Sequence, residues 1–140
     1  MYTIRKLFKF EMSHRLMSAY SKCCENVHGH SYKAEVFVYS SNYLNKDGMV
    51  IDFGLVKKVI QPIIDEWDHC IMLYEKDPLV KKLKKSDIKI ITKQYNPTAE
   101  NMANDLYHAI NTKLNHPSYM AFKIRIHETD TGWAEYSERI

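Results

Sequence analysis

Apolar and polar residues alternate from Tyr2 to His14: Phe8, Phe10, Met12 and His14 fall at every second position, with Lys9, Glu11 and Ser13 between them. A period of two marks a strand with one buried face, and this strand ends on a histidine. Ser18 to Val27, which holds the doublet Cys23-Cys24, is polar without a helical period and reads as a loop. A second strand follows from about His28 to Ser41, with His28, His30, Tyr32, Ala34, Val36 and Val38 on one face.

Asn45-Lys46-Asp47-Gly48 is a turn signal, and the short apolar run Met49-Val50-Ile51 leads to Asp52, a predicted helix N-cap. Leu55, Val59, Ile60, Ile63, Ile64 and Trp67 then recur at helical spacing. Pro62 lies inside that helix, where the lost hydrogen bond costs about 3 kcal/mol, so a kink or restart is expected there. Asp77 to Asp87 reads as a Lys-rich connector, and Ile88 to Thr92 as a third strand. Pro97-Thr98-Ala99-Glu100 opens a second helix carrying Met102, Leu106, Ile110 and Leu114, and Asn115-His116-Pro117 stops it. A last strand from about Ala121 to Glu128 precedes a Thr-Asp-Thr-Gly turn and a short extended tail with Trp133 and Tyr136. The order β-β-α-β-α-β predicts a single α+β domain over residues 1–140, with helices on one face of a mainly antiparallel sheet.

Composition narrows the function classes. At 140 residues, with 45% hydrophobic and 26% charged residues, the chain has the makings of one core and no room for a second. A net charge of +3 is too small and dispersed to point to nucleic acid. No apolar run approaches the roughly 18 residues that cross a bilayer, and three cysteines do not make a secreted disulfide framework. A cytoplasmic protein with reduced thiols is expected. Seven histidines against four glycines direct the search toward metals and proton transfer.

His28 and His30 project from the same strand face, and pairing with the first strand can bring His14 within reach. Three imidazoles suit zinc, and three protein ligands with one open position make the catalytic arrangement. Cys24 precedes His28 by four residues; a cation nearby would favour its thiolate, which could act as base or nucleophile. It could equally be a fourth ligand in a closed, purely structural site, and Cys23 competes for either role. Asp68 adjoins His69 at the end of the first helix, where the carboxylate can orient the imidazole only if the helix has already ended. Glu128 closes the last strand; its carboxylate can accept two parallel N–H bonds from the edge of a pterin or guanine. His127 points to the other face, and His108 and His116 have no partner in sequence. The Lys81-Lys82-Leu83-Lys84-Lys85 run could attract a polyphosphate, though a solvated connector explains it as well.

Taken in order, His14, Cys24-x-x-x-His28-Gly29-His30, Gly48 to Phe53, Asp68-His69, Pro97 to Asn101 and Glu128-Thr129 resemble the family of 6-pyruvoyltetrahydropterin and 6-carboxytetrahydropterin synthases over nearly the whole chain. The short Cys24 to His28 spacing and Met49-Val50-Ile51-Asp52-Phe53 are most similar to the bacterial carboxy branch, which serves queuosine biosynthesis. Pro62 and Tyr74 depart from the pattern. The resemblance implies the tunnelling fold: a four-stranded antiparallel sheet with two helices packed on one face, assembled into a hexamer as a dimer of trimers with active sites between subunits. It also implies a zinc-dependent lyase acting on 7,8-dihydroneopterin triphosphate to give 6-carboxy-5,6,7,8-tetrahydropterin, triphosphate and acetaldehyde. Under it, His14, His28 and His30 bind Zn2+, Cys24 accepts a proton, His69 with Asp68 relays protons, Glu128 anchors the pterin, and Thr98 lies beside its ring. Two alternatives stay open: a 6-pyruvoyltetrahydropterin synthase on the same substrate, and a non-catalytic zinc-stabilised pterin-binding module.

Overall fold

The computed structural model describes residues 1–18, 22–114, 117 and 120–138. In chain order the elements are β1 (Tyr2–His14), α1 (Lys22–Glu25), β2 (His28–Ser40), α2 (Phe53–Trp67), β3 (Ile71–Tyr74), α3 (Leu79–Leu83), β4 (Ile90–Lys93), α4 (Ala99–Lys113), β5 (Met120–His127) and β6 (Trp133–Tyr136). The strands form one sheet in the order β4-β3-β1-β2-β5-β6. The pairs β1/β2, β2/β5 and β5/β6 are antiparallel, whereas β1/β3 and β3/β4 are parallel.

The α+β class is as expected, but the four-stranded antiparallel sheet is corrected to a mixed sheet of six strands. Of the two strands beyond the predicted four, β3 was not expected and β6 was expected only as an extended tail; the predicted strand Ile88 to Thr92 is β4, which begins two residues later, at Ile90, and lies at the end of the sheet. Ile71-Met72-Leu73-Tyr74 shows no alternation, because Met72 and Leu73 are both fully buried, as in a parallel strand covered on both faces. The expected tail is strand β6, paired to β5 from Ile124–Tyr136 to His127–Trp133.

Two short helices also correct the expectation. α1 interrupts the loop predicted between Ser18 and Val27, of which 19–21 lie outside the described residues, and α3 interrupts the Lys-rich connector. Of the predicted stop to α4, residues 115 and 116 are likewise outside.

Phe8, Phe10 and Met12 of β1, Tyr32, Ala34, Val36 and Val38 of β2, and Phe122, Ile124 and Ile126 of β5 form one buried face. Helices α2 and α4 cover it with Val56, Ile60, Ile63, Ile64 and Trp67, and with Met102, Leu106 and Ile110. Each large apolar side chain withdrawn from water here contributes about 1.5–3 kcal/mol.

Asp52 caps α2 by accepting from the Gly54 N–H at 2.5 Å. α2 does not restart at Pro62, since it is one run through to Trp67. Pro62 faces solvent, so water can satisfy the carbonyl that it leaves without a donor. Leu55, expected on the core stripe, is half exposed, because the buried side is carried by Val56 and Ile60, one position on.

Candidate functional site

β1 and β2 pair in register with His14 opposite His28 and Met12 opposite His30. The buried stripe of the sheet therefore runs, without a change of face, from hydrocarbon into three imidazoles. Their ring centroids are 4.6 Å apart for His14 and His28, 5.2 Å for His14 and His30, and 4.9 Å for His28 and His30.

The backbone fixes which nitrogen each ring presents. His14 Nδ1 lies 2.7 Å from the Pro97 carbonyl and His28 Nδ1 2.8 Å from the Asn26 carbonyl. Each donates there, so the nitrogen that each ring can offer to a metal is Nε2. Burial pushes the His14 pKa down to about 4 and lowers that of His30, so both are neutral at pH 7.

The two Nε2 lone pairs of His14 and His28 face each other at 3.1 Å. That contact is repulsive unless a cation lies beside both, and two nitrogens bound to one tetrahedral zinc stand roughly 3.3 Å apart. His30 Nε2 is buried without a hydrogen-bond partner among the described residues, an arrangement that costs about 1–3 kcal/mol if nothing occupies the lone pair. The three ligand atoms lie within 4.8 Å of one another, so the widest pair closes by at most about 1.5 Å on binding one ion. The triad fits a divalent metal.

Cys24 does not belong to this group. It sits on α1, partly exposed, and its carbonyl accepts from the Leu16 N–H at 2.8 Å. Cys23 beside it is exposed and Cys70 is buried. The carboxylate brought to the triad is Glu128, whose Oε1 stands 3.6 Å from His14 Nε2 and 4.0 Å from His30 Nε2. Glu128 shares a cavity of about 340 Å³ with Thr98, Glu100 and Trp133. His127 turns away to Glu35, 2.8 Å distant on the opposite sheet face, as its position in the alternation predicts.

Asp68 and His69 meet the condition the sequence set. α2 ends at Trp67, Asp68 is extended, and the Asp68 Oδ2 to His69 Nδ1 separation is 2.9 Å. His69 has φ +56°, a left-handed conformation uncommon away from glycine. It is held there by the His69 N–H donating to the Glu11 carbonyl at 2.6 Å and the Glu11 N–H donating to Asp68 Oδ1 at 2.7 Å. That backbone bond is the first cause of the lowered Asp68 pKa, with the His69 hydrogen bond contributing in the same direction. His69 and His30 line one cavity of about 410 Å³.

Two contributors to the site have no sequence signature as ligands. Tyr32 is the next same-face residue after His30 and puts its hydroxyl 3.3 Å from both ring nitrogens of His14; burial raises its pKa. The Pro97 carbonyl is a backbone group, and only the fold brings it to a ring 83 residues away.

Residues 3–139 match the family model described as 6-pyruvoyl tetrahydropterin synthase. Among curated relatives, the 6-carboxy-5,6,7,8-tetrahydropterin synthase of Aquifex aeolicus is 32% identical over 96% of this chain and 97% of its own length. The enzyme of that name from Rickettsia felis is 35% identical over 91% and 94%, and that of Haemophilus influenzae 31% over 99% and 100%. Among solved structures, an uncharacterized protein from Wolinella succinogenes superposes with a TM-score of 0.83 at 22% identity, covering 99% of this chain and 98% of that one. The 6-pyruvoyl tetrahydropterin synthase of Plasmodium vivax gives 0.75 at 14% identity, covering 99% of both. These two likenesses bear on the fold.

Proposed function

The chain belongs to the 6-pyruvoyl tetrahydropterin synthase family, and from that premise we propose that it converts 7,8-dihydroneopterin triphosphate to 6-carboxy-5,6,7,8-tetrahydropterin, releasing triphosphate and acetaldehyde. The carboxy product is supported by the name shared by the curated relatives, which match this chain over nearly its whole length. Queuosine biosynthesis is the pathway this product would serve. The observation that carries the reading is the three-imidazole cluster at the end of the buried sheet face, with Glu128 beside it and Cys24 outside the ligand set. A closed site with sulfur as fourth ligand lacks that support.

His14, His28 and His30 would hold Zn2+, which when bound supplies Lewis acidity toward the side-chain hydroxyls of the substrate and lowers their pKa. The chain's own groups do the rest. Glu128 accepts two parallel N–H bonds from the pterin edge and so fixes which carbon of the side chain is presented. Thr98, on the same cavity wall, stands beside the ring. Cys24, as thiolate, takes the proton from the C–H carbon, and His69, oriented by Asp68, carries protons as the side chain rearranges and triphosphate leaves. The enzyme is thus a lyase with no organic cofactor.

A homo-oligomer, a hexamer built as a dimer of trimers, accords with the sheet edges. Among the described residues, β1 has partners on both sides only where Ser13 and His14 meet Ile71 and Met72, and β6 ends the sheet on the other side. Two such edges in one chain favour pairing between copies.

The test is incubation of the zinc-loaded protein with 7,8-dihydroneopterin triphosphate and mass analysis of all products. The carboxy product with acetaldehyde is expected. A pyruvoyl product that keeps its carbons would move the enzyme to the other branch, and no turnover at all would overturn the reading.

A further inference from the structure

One short segment touches both halves of the site. The Pro97 carbonyl orients His14, while the Asn96 side chain immediately before it reaches the strand exit that leads to Cys24. The Met17 N–H donates to Asn96 Oδ1 at 3.0 Å, and Asn96 Nδ2 donates back to the Met17 carbonyl at 3.3 Å. The amide thereby engages the backbone of a single residue in both directions, as a neighbouring strand would. Next to Met17, Leu16 donates to the carbonyl of Cys24. The Asn96 backbone is itself pinned to the start of α4, because its carbonyl accepts from Asn101 Nδ2 at 2.9 Å and from the Thr98 N–H at 2.8 Å.

We propose that Asn96 is a positioning residue for Cys24: its side-chain amide sets the distance from the Cys24-bearing loop to the metal ligands by tying Met17 to the same three-residue segment that orients His14. The inference rests on the reading of Cys24 as the proton acceptor. The clamp is specific to a carboxamide of this length, since it needs one donor and one acceptor side by side. Nothing else in the Asn96-Pro97-Thr98 segment could supply both, because Pro97 lacks an N–H and Thr98 caps α4. A thiolate displaced by an ångström from the carbon it deprotonates loses about a hundredfold in rate, so the clamp acts on kcat.

Asn96→Ala removes both bonds, and Asn96→Asp keeps the acceptor for Met17 N–H while turning an oxygen toward the Met17 carbonyl. The zinc-loaded wild type and both variants are treated with iodoacetamide at pH 7. Alkylation of Cys24 is read against Cys23 in the same peptide, beside bound zinc and steady-state kinetics. The Cys24 to Cys23 ratio is expected to fall about tenfold in Asn96→Ala and less in Asn96→Asp, with kcat falling in the same order and KM steady. Bound zinc stays at the wild-type level, because both variants keep the Asn96 carbonyl that anchors Pro97. An unchanged or higher ratio, or zinc lost in proportion to rate, overturns the proposal. If Asn96→Ala does not fold, Asn96→Asp alone decides it. Wild type that does not act on the pterin triphosphate would overturn the functional reading instead, which the alkylation ratio does not measure.

Discussion

Two of the three triad ligands are oriented by backbone carbonyls. Pro97 and Asn26 carbonyls take the Nδ1 protons of His14 and His28, and burial keeps His14 and His30 uncharged. His30→Ala leaves two imidazoles, too few for a stable site, and bound zinc after dialysis should fall below about a tenth of the wild-type stoichiometry. Elemental analysis reads this directly; full stoichiometry in the variant would show that the ion sits elsewhere. Glu128→Gln preserves size but cannot accept two N–H bonds with full charge. Losing charged hydrogen bonds worth about 1.5–3 kcal/mol should raise KM about tenfold to a hundredfold while zinc content holds. The convergence of the imidazoles and the Asp68-His69 contact were legible in the sequence because periodicity and adjacency expose them. Tyr32 and the Pro97 carbonyl were not, since a buried aromatic and a backbone oxygen look the same wherever they occur.

The elements that carry these residues are fixed at their ends. Thr98 caps α4 by accepting from the Asn101 N–H at 3.2 Å, and Thr98→Ala should cost about 1 kcal/mol in denaturant unfolding, through the helix start. An unchanged midpoint would mean that tertiary packing alone holds that turn. Arg15 leaves β1 directly after His14 and pairs through two nitrogens with the fully buried carboxylate of Asp77, which also accepts from the Leu79 N–H at the start of α3. The Arg15 hydrogen bonds hold the Asp77 pKa below the ordinary aspartate range, against the opposing effect of burial. With the folded value below the unfolded one, the pair's contribution is fully present above about pH 4 and is lost as pH falls through the folded value. Asp77→Asn should therefore be less stable at neutral pH and show a flatter decline on acidification below about pH 4, followed by thermal unfolding against pH. An equal slope in both proteins would remove Asp77 from the acid response. The strand bounds of β1 and the cap of α2 were readable from alternation and from Asp52. Strand β3 was not, because four consecutive apolar residues carry no period.

At the scale of the whole molecule, no helix among the described residues is long and apolar enough to cross a membrane, and the sheet leaves two edges for a second copy. Sedimentation equilibrium should give a mass near a multiple of three chains, with hexamer the expected form; a monomer at micromolar concentration would count against edge pairing. What the sequence by itself determined is local: which residues alternate, which helices start where, which side chains share a face, and hence that His14, His28 and His30 could converge. Those follow from backbone geometry that repeats every two or 3.6 residues. The tertiary structure alone decided the sheet order with β3 inserted and its parallel pairings to β1 and β4, the His14-to-His28 register, the approach of Glu128 to the triad, and the meeting of Asn96 and Pro97 with Met17 and His14 some 80 residues away. Long-range pairing depends on how whole faces bury one another, and no window of neighbouring residues contains that information.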